Sequence, residues 1–204
     1  MNKFTIENTA LILIDHQVGT INWAGALTKE EREQVKVWTR VLARFAKSAA
    51  MPVVLTSSME DQAQGLLLPE LKEILPEAYE NRIQRFGVIN AWDDPHFANA
   101  VRTTGKKNLI MAGLTTEVCL TPPALSAKKE GFNVITLMDA SGGNTRLGEQ
   151  HAERRLNLAG IDTLTTFPAL ADMLGDWSHP ASEAFFNALY QENVFDLLTQ
   201  GNIR

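Results

Sequence analysis

A single cysteine, Cys119, stands among 204 residues, so no intrachain disulfide can form. Lysine and arginine occur singly or in pairs and never as a block, and the net charge is −5. Nucleic acid and anionic membrane are therefore excluded as expected partners. No stretch approaches the ~18 to 20 apolar residues of a membrane-spanning helix. The first apolar run, residues 10–14, is cut by Asp15 and does not suit a secretory signal, which predicts a cytoplasmic protein. The four histidines, His16, His96, His151 and His179, have no metal-ligand spacing, so neither metal nor cofactor is expected. Internal repeats and low-complexity segments are absent. What remains, 45% hydrophobic and 21% charged, is the composition of one globular domain spanning 1–204.

Apolar runs with strand character recur along the chain. Residues 10–14, ALILI, deliver Asp15, His16 and Gln17 at their C-terminal end, and Pro52 opens a second run at 53–56. A third starts at Asn108 and breaks at Gly113, a fourth spans 133–138 and ends at Asp139, and a fifth is read at 162–167. Between them lie helical patterns. Thr28 and Glu31 make a capping box ahead of Val35, Trp38, Val41, Leu42 and Phe45, and shorter helices are expected at 69–74, from Pro95, and at 147–159 before Gly160. Residues 61–93 are irregular. This alternation predicts an α/β protein, a Rossmann-like three-layer α/β/α fold on a doubly wound, mainly parallel sheet. Apolar residues from Phe185 to Leu198 follow the last strand with none left to cover, so the tail, 180–204, is expected to serve oligomer contacts.

Cys119 falls where the third strand hands over to a helix, the edge of an open sheet at which ligands bind. Backbone N–H groups and the helix dipole at such a place are expected to lower a thiol's pKa, so the residue reads as a nucleophile. Its bland alternative is a small buried core residue. Pro122 and Pro123 follow within one turn and cannot donate to the carbonyls of Val118 and Cys119, so the regular helix is expected either to start near the prolines or to kink there. Arg85, Asn90 and Trp92 cluster in the irregular segment 82–94, which reads as a pocket wall or as an ordinary surface loop.

Asp15 in ILIDHQ, Arg85 before FGVINAW, Gly113 to Cys119 as GLTTEVC, and VITLMDASGG in that order resemble the isochorismatase-like cysteine hydrolase superfamily, and within it the YcaC-type hydrolases of unassigned substrate. The resemblance implies a triad: Cys119 as nucleophile, Asp15 as the carboxylate that takes its proton, and Arg85 as the positive group, with Arg82 as competitor. Lysine is the commoner residue at that third place. Arginine stays charged and cannot relay a proton, so its expected work is to hold Asp15, stabilise the thiolate and bind a substrate oxygen. The resemblance also implies a cis peptide between Leu114 and Thr115 and an oxyanion hole from the N–H groups of Thr115 and Cys119. Gln17, Asn90, Trp92 and Glu117 are the candidate pocket residues. Nicotinamidases of the superfamily hold a metal after the second strand, whereas SSMEDQAQ here has no histidine. The activity implied is cysteine-dependent hydrolysis of a small amide, carbamoyl or related acyl compound by a homo-oligomer, an octamer in YcaC-like proteins. Enol ether hydrolysis of the isochorismatase kind and a non-catalytic scaffold are the alternatives.

Overall fold

Six short strands lie side by side in a computed structural model that describes residues 4–201. They are β1 (Thr9–Ile14), β2 (Val53–Ser58), β3 (Ile83–Arg85), β4 (Asn108–Gly113), β5 (Asn133–Leu137) and β6 (Asp162–Leu164), in the order β3-β2-β1-β4-β5-β6. Every pairing is parallel, and Ile14 sits opposite both Thr56 of β2 and Gly113 of β4. Each residue of β1 and β4 is buried, as an unbroken apolar run demands when helices cover both faces.

Strand alternation divides the apolar side chains between two cores. Leu11, Leu13, Leu55, Ile110 and Leu137 face α1 (Lys29–Ser48), α2 (Pro69–Ile74), α3 (Pro76–Glu80) and α7 (Thr166–Leu174). Ala10, Ile12, Ile14, Met111 and Val134 face α4 (Pro95–Thr103), α5 (Thr121–Lys129) and α6 (Arg146–Leu158). The capping box ahead of α1 is formed: Glu31 N–H donates to Thr28 Oγ1 at 3.2 Å and Thr28 N–H to Glu31 Oε2 at 2.7 Å. Successive strands are added on one side of β1 and then on the other. The order of strand addition thus reverses between β1 and β4, and in an open sheet of this kind ligands bind beyond the C-terminal ends of the strands at that point.

Three expectations need correction. The segment around Arg85 contains a sixth strand, β3, whose three residues are too few to show an alternation. The last strand ends at Leu164, not at 167, because Asp139 captures the next residues for a helix. Its carboxylate accepts from Thr166 N–H and Thr166 Oγ1, both at 2.8 Å, and α7 starts there. The tail does find cover in its own domain. Helix α8 (Ser182–Gln191) and α9 (Val194–Thr199) lie against the helical layer, with Phe185 edge-on to Phe45 and Phe167, and with Glu192 bonded to Arg40 and Arg44 of α1 at 2.5 and 2.6 Å. A helix face, rather than a strand, is what these apolar residues cover. Among the described residues no helix is long and apolar enough to cross a membrane.

Phe185 is fully buried, so Phe185→Ala should lower stability by about 3 to 5 kcal/mol. Urea denaturation measures this, and a loss under about 1 kcal/mol would show that the tail is not part of the core.

Candidate functional site

Asp15 is the first residue beyond β1, and its backbone is in the left-handed region at φ 58°. An aspartate tolerates this conformation at a cost of order 1 kcal/mol when neighbours hold it. They do: Asp15 N–H donates to Thr56 O at 2.9 Å, while its carbonyl accepts from Gln17 N–H at 2.7 Å and from Thr20 Oγ1 at 2.5 Å. The turn sends the carboxylate toward the end of β3, where Arg85 waits.

Arg85 is 1% exposed and makes five hydrogen bonds. Nη2 bonds both oxygens of the Asp15 carboxylate, Nη1 donates to the carbonyls of Val88 at 2.6 Å and Ile89 at 3.1 Å, and Nε donates to Thr56 Oγ1 at 3.1 Å. Each of the three nitrogens is engaged inside the protein. The expected contact of Arg85 with a substrate oxygen is therefore corrected: its charge is given to Asp15. Arg82, the competitor, is held away by Glu60 at 2.7 and 2.8 Å and by the face of Tyr79.

Cys119 reaches the same point from the turn after β4. The Leu114–Thr115 peptide is cis, and a π-helical turn, Thr116–Leu120, carries the cysteine before α5 begins at Thr121. Pro122 and Pro123 occupy the opening turn of that helix, as their missing N–H groups require. The Cys119 side chain lies against the Asp15 carboxylate, and the Thr115 N–H points at its sulfur.

The electrostatics differ from the sequence expectation. Burial pushes the Cys119 thiol well up, the adjacent Asp15 charge pushes it further, and the Thr115 N–H and Arg85 only partly oppose them. Donors at the helix start do not lower it because the N–H groups of Val118, Cys119 and Leu120 all turn to the Thr115 carbonyl, that of Cys119 at 2.7 Å. The second expected oxyanion donor, the Cys119 N–H, is engaged in this same bond. Asp15 is also raised, by burial first, with Arg85 pulling against it. At rest the proton stays on sulfur, beside a carboxylate placed to accept it.

The other candidates serve the frame. Gln17 is buried and ties two loops, donating to Ser58 O at 2.9 Å and accepting from Ser58 N–H at 2.9 Å. Asn90 accepts from Trp92 N–H and donates to Ser126, while the Trp92 indole donates to Glu130 at 2.8 Å and packs against Phe97 and Phe132. Both stand in the wall between the short turn after β3 and the flanking helices. Glu117 accepts from Asn144 N–H at 2.9 Å, and its carboxylate fills the space beside Gly143 and Gly148, where a Cβ would come within 2.9 and 2.4 Å of it. Sequence reasoning missed Asn144, which also accepts from Thr115 Oγ1 at 3.0 Å and donates to Trp23 O at 3.1 Å, and so joins three loops at the nucleophile turn. It missed Thr56 and the Val88 and Ile89 carbonyls as well, because a backbone oxygen leaves no mark in a sequence. Among the described residues no group of three or more His, Cys, Asp and Glu is placed to hold a metal ion.

Comparison with known proteins shows the family. Residues 9–167 match the family described as isochorismatase domain. The chain is 40% identical over 171 residues to the probable hydrolase YcaC of Escherichia coli (strain K12), covering 84% of this chain and 80% of that protein. Among solved structures, YcaC from Pseudomonas aeruginosa with hexane-2,5-diol and covalent acrylamide superposes at TM-score 0.88, with 35% identity, over 98% of this chain and 96% of that one. The E. coli YcaC structure, described as an octameric hydrolase of unknown specificity, gives TM-score 0.85 at 35% identity, over 99% and 97% of the two chains.

His16, next to Asp15, points the other way: it is fully buried, with Nε2 2.9 Å from Ala140 O, and burial holds its pKa down to about 4. The folded state therefore prefers the neutral ring. That contribution is present above the unfolded value of 6.5 and is lost as pH falls through about 4. Between pH 7 and about pH 4.5 the native protein should lose about 2 to 3 kcal/mol that His16→Gln does not lose. Urea titrations at both pH values measure the difference, and equal losses would contradict the assignment.

Proposed function

Because the chain belongs to the isochorismatase family and its relatives include a probable hydrolase, we propose that it is a cysteine-dependent hydrolase of a small amide, carbamoyl or related acyl compound. The observation that carries the reading is the Cys119 thiol set against the buried Asp15 carboxylate, which Arg85 clamps from behind. A thiol that stays protonated at rest needs a base at the moment of attack, and this carboxylate is in contact with it. The Pseudomonas relative, described with covalent acrylamide, supports reactivity of a protein of this family toward a neutral amide-bearing electrophile.

The reaction proceeds in two halves. Cys119 sulfur attacks the carbonyl carbon as its proton passes to Asp15, giving a tetrahedral oxyanion. The Thr115 N–H, which meets the sulfur, is the candidate donor to that oxygen. The C–N bond then breaks, the departing nitrogen takes the proton from Asp15, and a thioester remains on Cys119. Water attacks the thioester, Asp15 accepts a proton from it, and the expelled thiolate takes that proton back as the acid leaves. Arg85 keeps its own protons throughout and works by orienting Asp15 and restraining its rise in pKa. The octamer described for the E. coli relative supports the homo-oligomer expected from the resemblance.

A screen of small amides and carbamoyl compounds by released ammonia should find turnover. Cys119→Ala should abolish it without unfolding the chain, and Asp15→Asn should lower kcat by roughly 10² to 10⁴ while substrate still binds. Arg85→Lys should keep part of the activity and Arg85→Met very little. Native rates in the Cys119 or Asp15 variants would show the assignment to be wrong.

A further inference from the structure

We infer that this site takes an uncharged, largely apolar carbonyl compound, of which a short aliphatic amide is the simplest, and turns away substrates that carry a carboxylate or phosphate. The inference rests on the cysteine-hydrolase reading of the same site and adds the charge and polarity of what enters it. It starts from the five loops at the C-terminal edge of strands β1 to β5, residues 15–28, 59–68, 86–94, 114–120 and 138–145. They contain no lysine or arginine and carry seven aspartates and glutamates between them, of which Asp15 and Glu60 are paired with Arg85 and Arg82. An anionic substrate is held most strongly by a cation with a free donor, and none is supplied by these loops.

Cations next to the loops are already turned inward: Arg32 of α1 gives its terminal nitrogens to the Asn22 and Leu27 carbonyls at 3.5 and 3.4 Å, with its Nε buried. Arg85 has all three nitrogens bonded within the protein and only 1% of its surface exposed, and its charge is already matched by Asp15. Arg82 is bonded twice to Glu60 and once to the Tyr79 carbonyl, at 2.7 to 2.8 Å. Arg146 opens α6 exposed to solvent, where a lone charge is screened within about 10 Å. His16 is buried against the Ala140 carbonyl and stays neutral at physiological pH.

Apolar side chains stand where cations are missing. Val18 and Trp23 follow β1, Leu66 follows β2, Phe86 and Ile89 follow β3, and Val118 precedes the cysteine by one residue, all of them exposed. Phe86 is 84% exposed. Large hydrophobic side chains held open on several loops of one sheet edge are the mark of a surface that meets an apolar ligand. A carboxylate brought there would face the acidic loops with no compensating donor, and clefts of one sign alter encounter rates by 10-fold to 10³-fold.

The test uses the only thiol of the chain as its reporter. Iodoacetamide and iodoacetate alkylate sulfur by the same displacement, in which a C–S bond forms, iodide leaves and the thiol proton passes to base, but the second reagent is an anion. Labelling of Cys119 is followed by intact mass, with 2-mercaptoethanol as the reference thiol and Cys119→Ala as the blank. The rate ratio of iodoacetamide to iodoacetate should exceed the reference ratio by roughly tenfold or more, and should shrink in about 0.5 M salt. In parallel, butyramide should be hydrolysed in preference to succinamate, its carboxylate-bearing counterpart. A labelling ratio equal to that of mercaptoethanol, or faster hydrolysis of succinamate, would overturn the inference. If the ratio holds while no amide is hydrolysed, the hydrolase reading fails and the charge preference stands. If amides are hydrolysed without preference, the preference fails and the hydrolase reading stands.

Discussion

The buried ion pair of Asp15 and Arg85 is the constraint on which the rest of the site depends. Two opposite charges removed from water are tolerable only when each is matched and its remaining donors are bonded, and this pair meets both conditions. Meeting them commits the backbone. Asp15 adopts a left-handed conformation held by Gln17 and Thr20, β3 ends at Arg85, and the following turn offers the Val88 and Ile89 carbonyls to the guanidinium. Loss of the arginine alone would leave a carboxylate in the interior with only a thiol beside it.

This constraint also explains the state of the nucleophile. Burial and the neighbouring Asp15 charge both disfavour a thiolate here, so sulfur retains its proton until a substrate carbonyl draws the electron pair off it. Arginine in place of the commoner lysine fits this arrangement. A planar group with three bonded nitrogens holds the carboxylate in one orientation, which a single ammonium cannot do. On the proposed reading proton traffic is confined to Cys119, Asp15 and the substrate.

Much of the fold was legible because buried parallel strands are written as unbroken apolar runs. Residues 10–14 and the run that starts at Asn108 show their burial directly, and Thr28 with Glu31 marks the start of α1. Short or capped elements were not legible. β3 is three residues long, and α7 starts where Asp139 reaches across 27 positions to bond Thr166. The cover of the tail within its own domain was not legible because periodicity tells that a helix has an apolar face without telling what covers it, and α1 covers it here. At the site, Asp15 and Cys119 could be picked out as side chains at strand ends, and Arg85 only through the resemblance of its segment. The raised thiol pKa, the engagement of the Cys119 N–H and the role of Asn144 come from burial and backbone geometry, which no residue type announces.

Acyl transfer to the cysteine is the central claim, and a trapped intermediate tests it most directly. With the neutral amide that turns over fastest, an acid quench within the first turnover followed by peptide mass analysis should find the acyl group on the peptide carrying Cys119. The adduct should be labile to hydroxylamine, as a thioester is. Turnover at the full rate with no acyl group on Cys119 at any quench time would contradict the account.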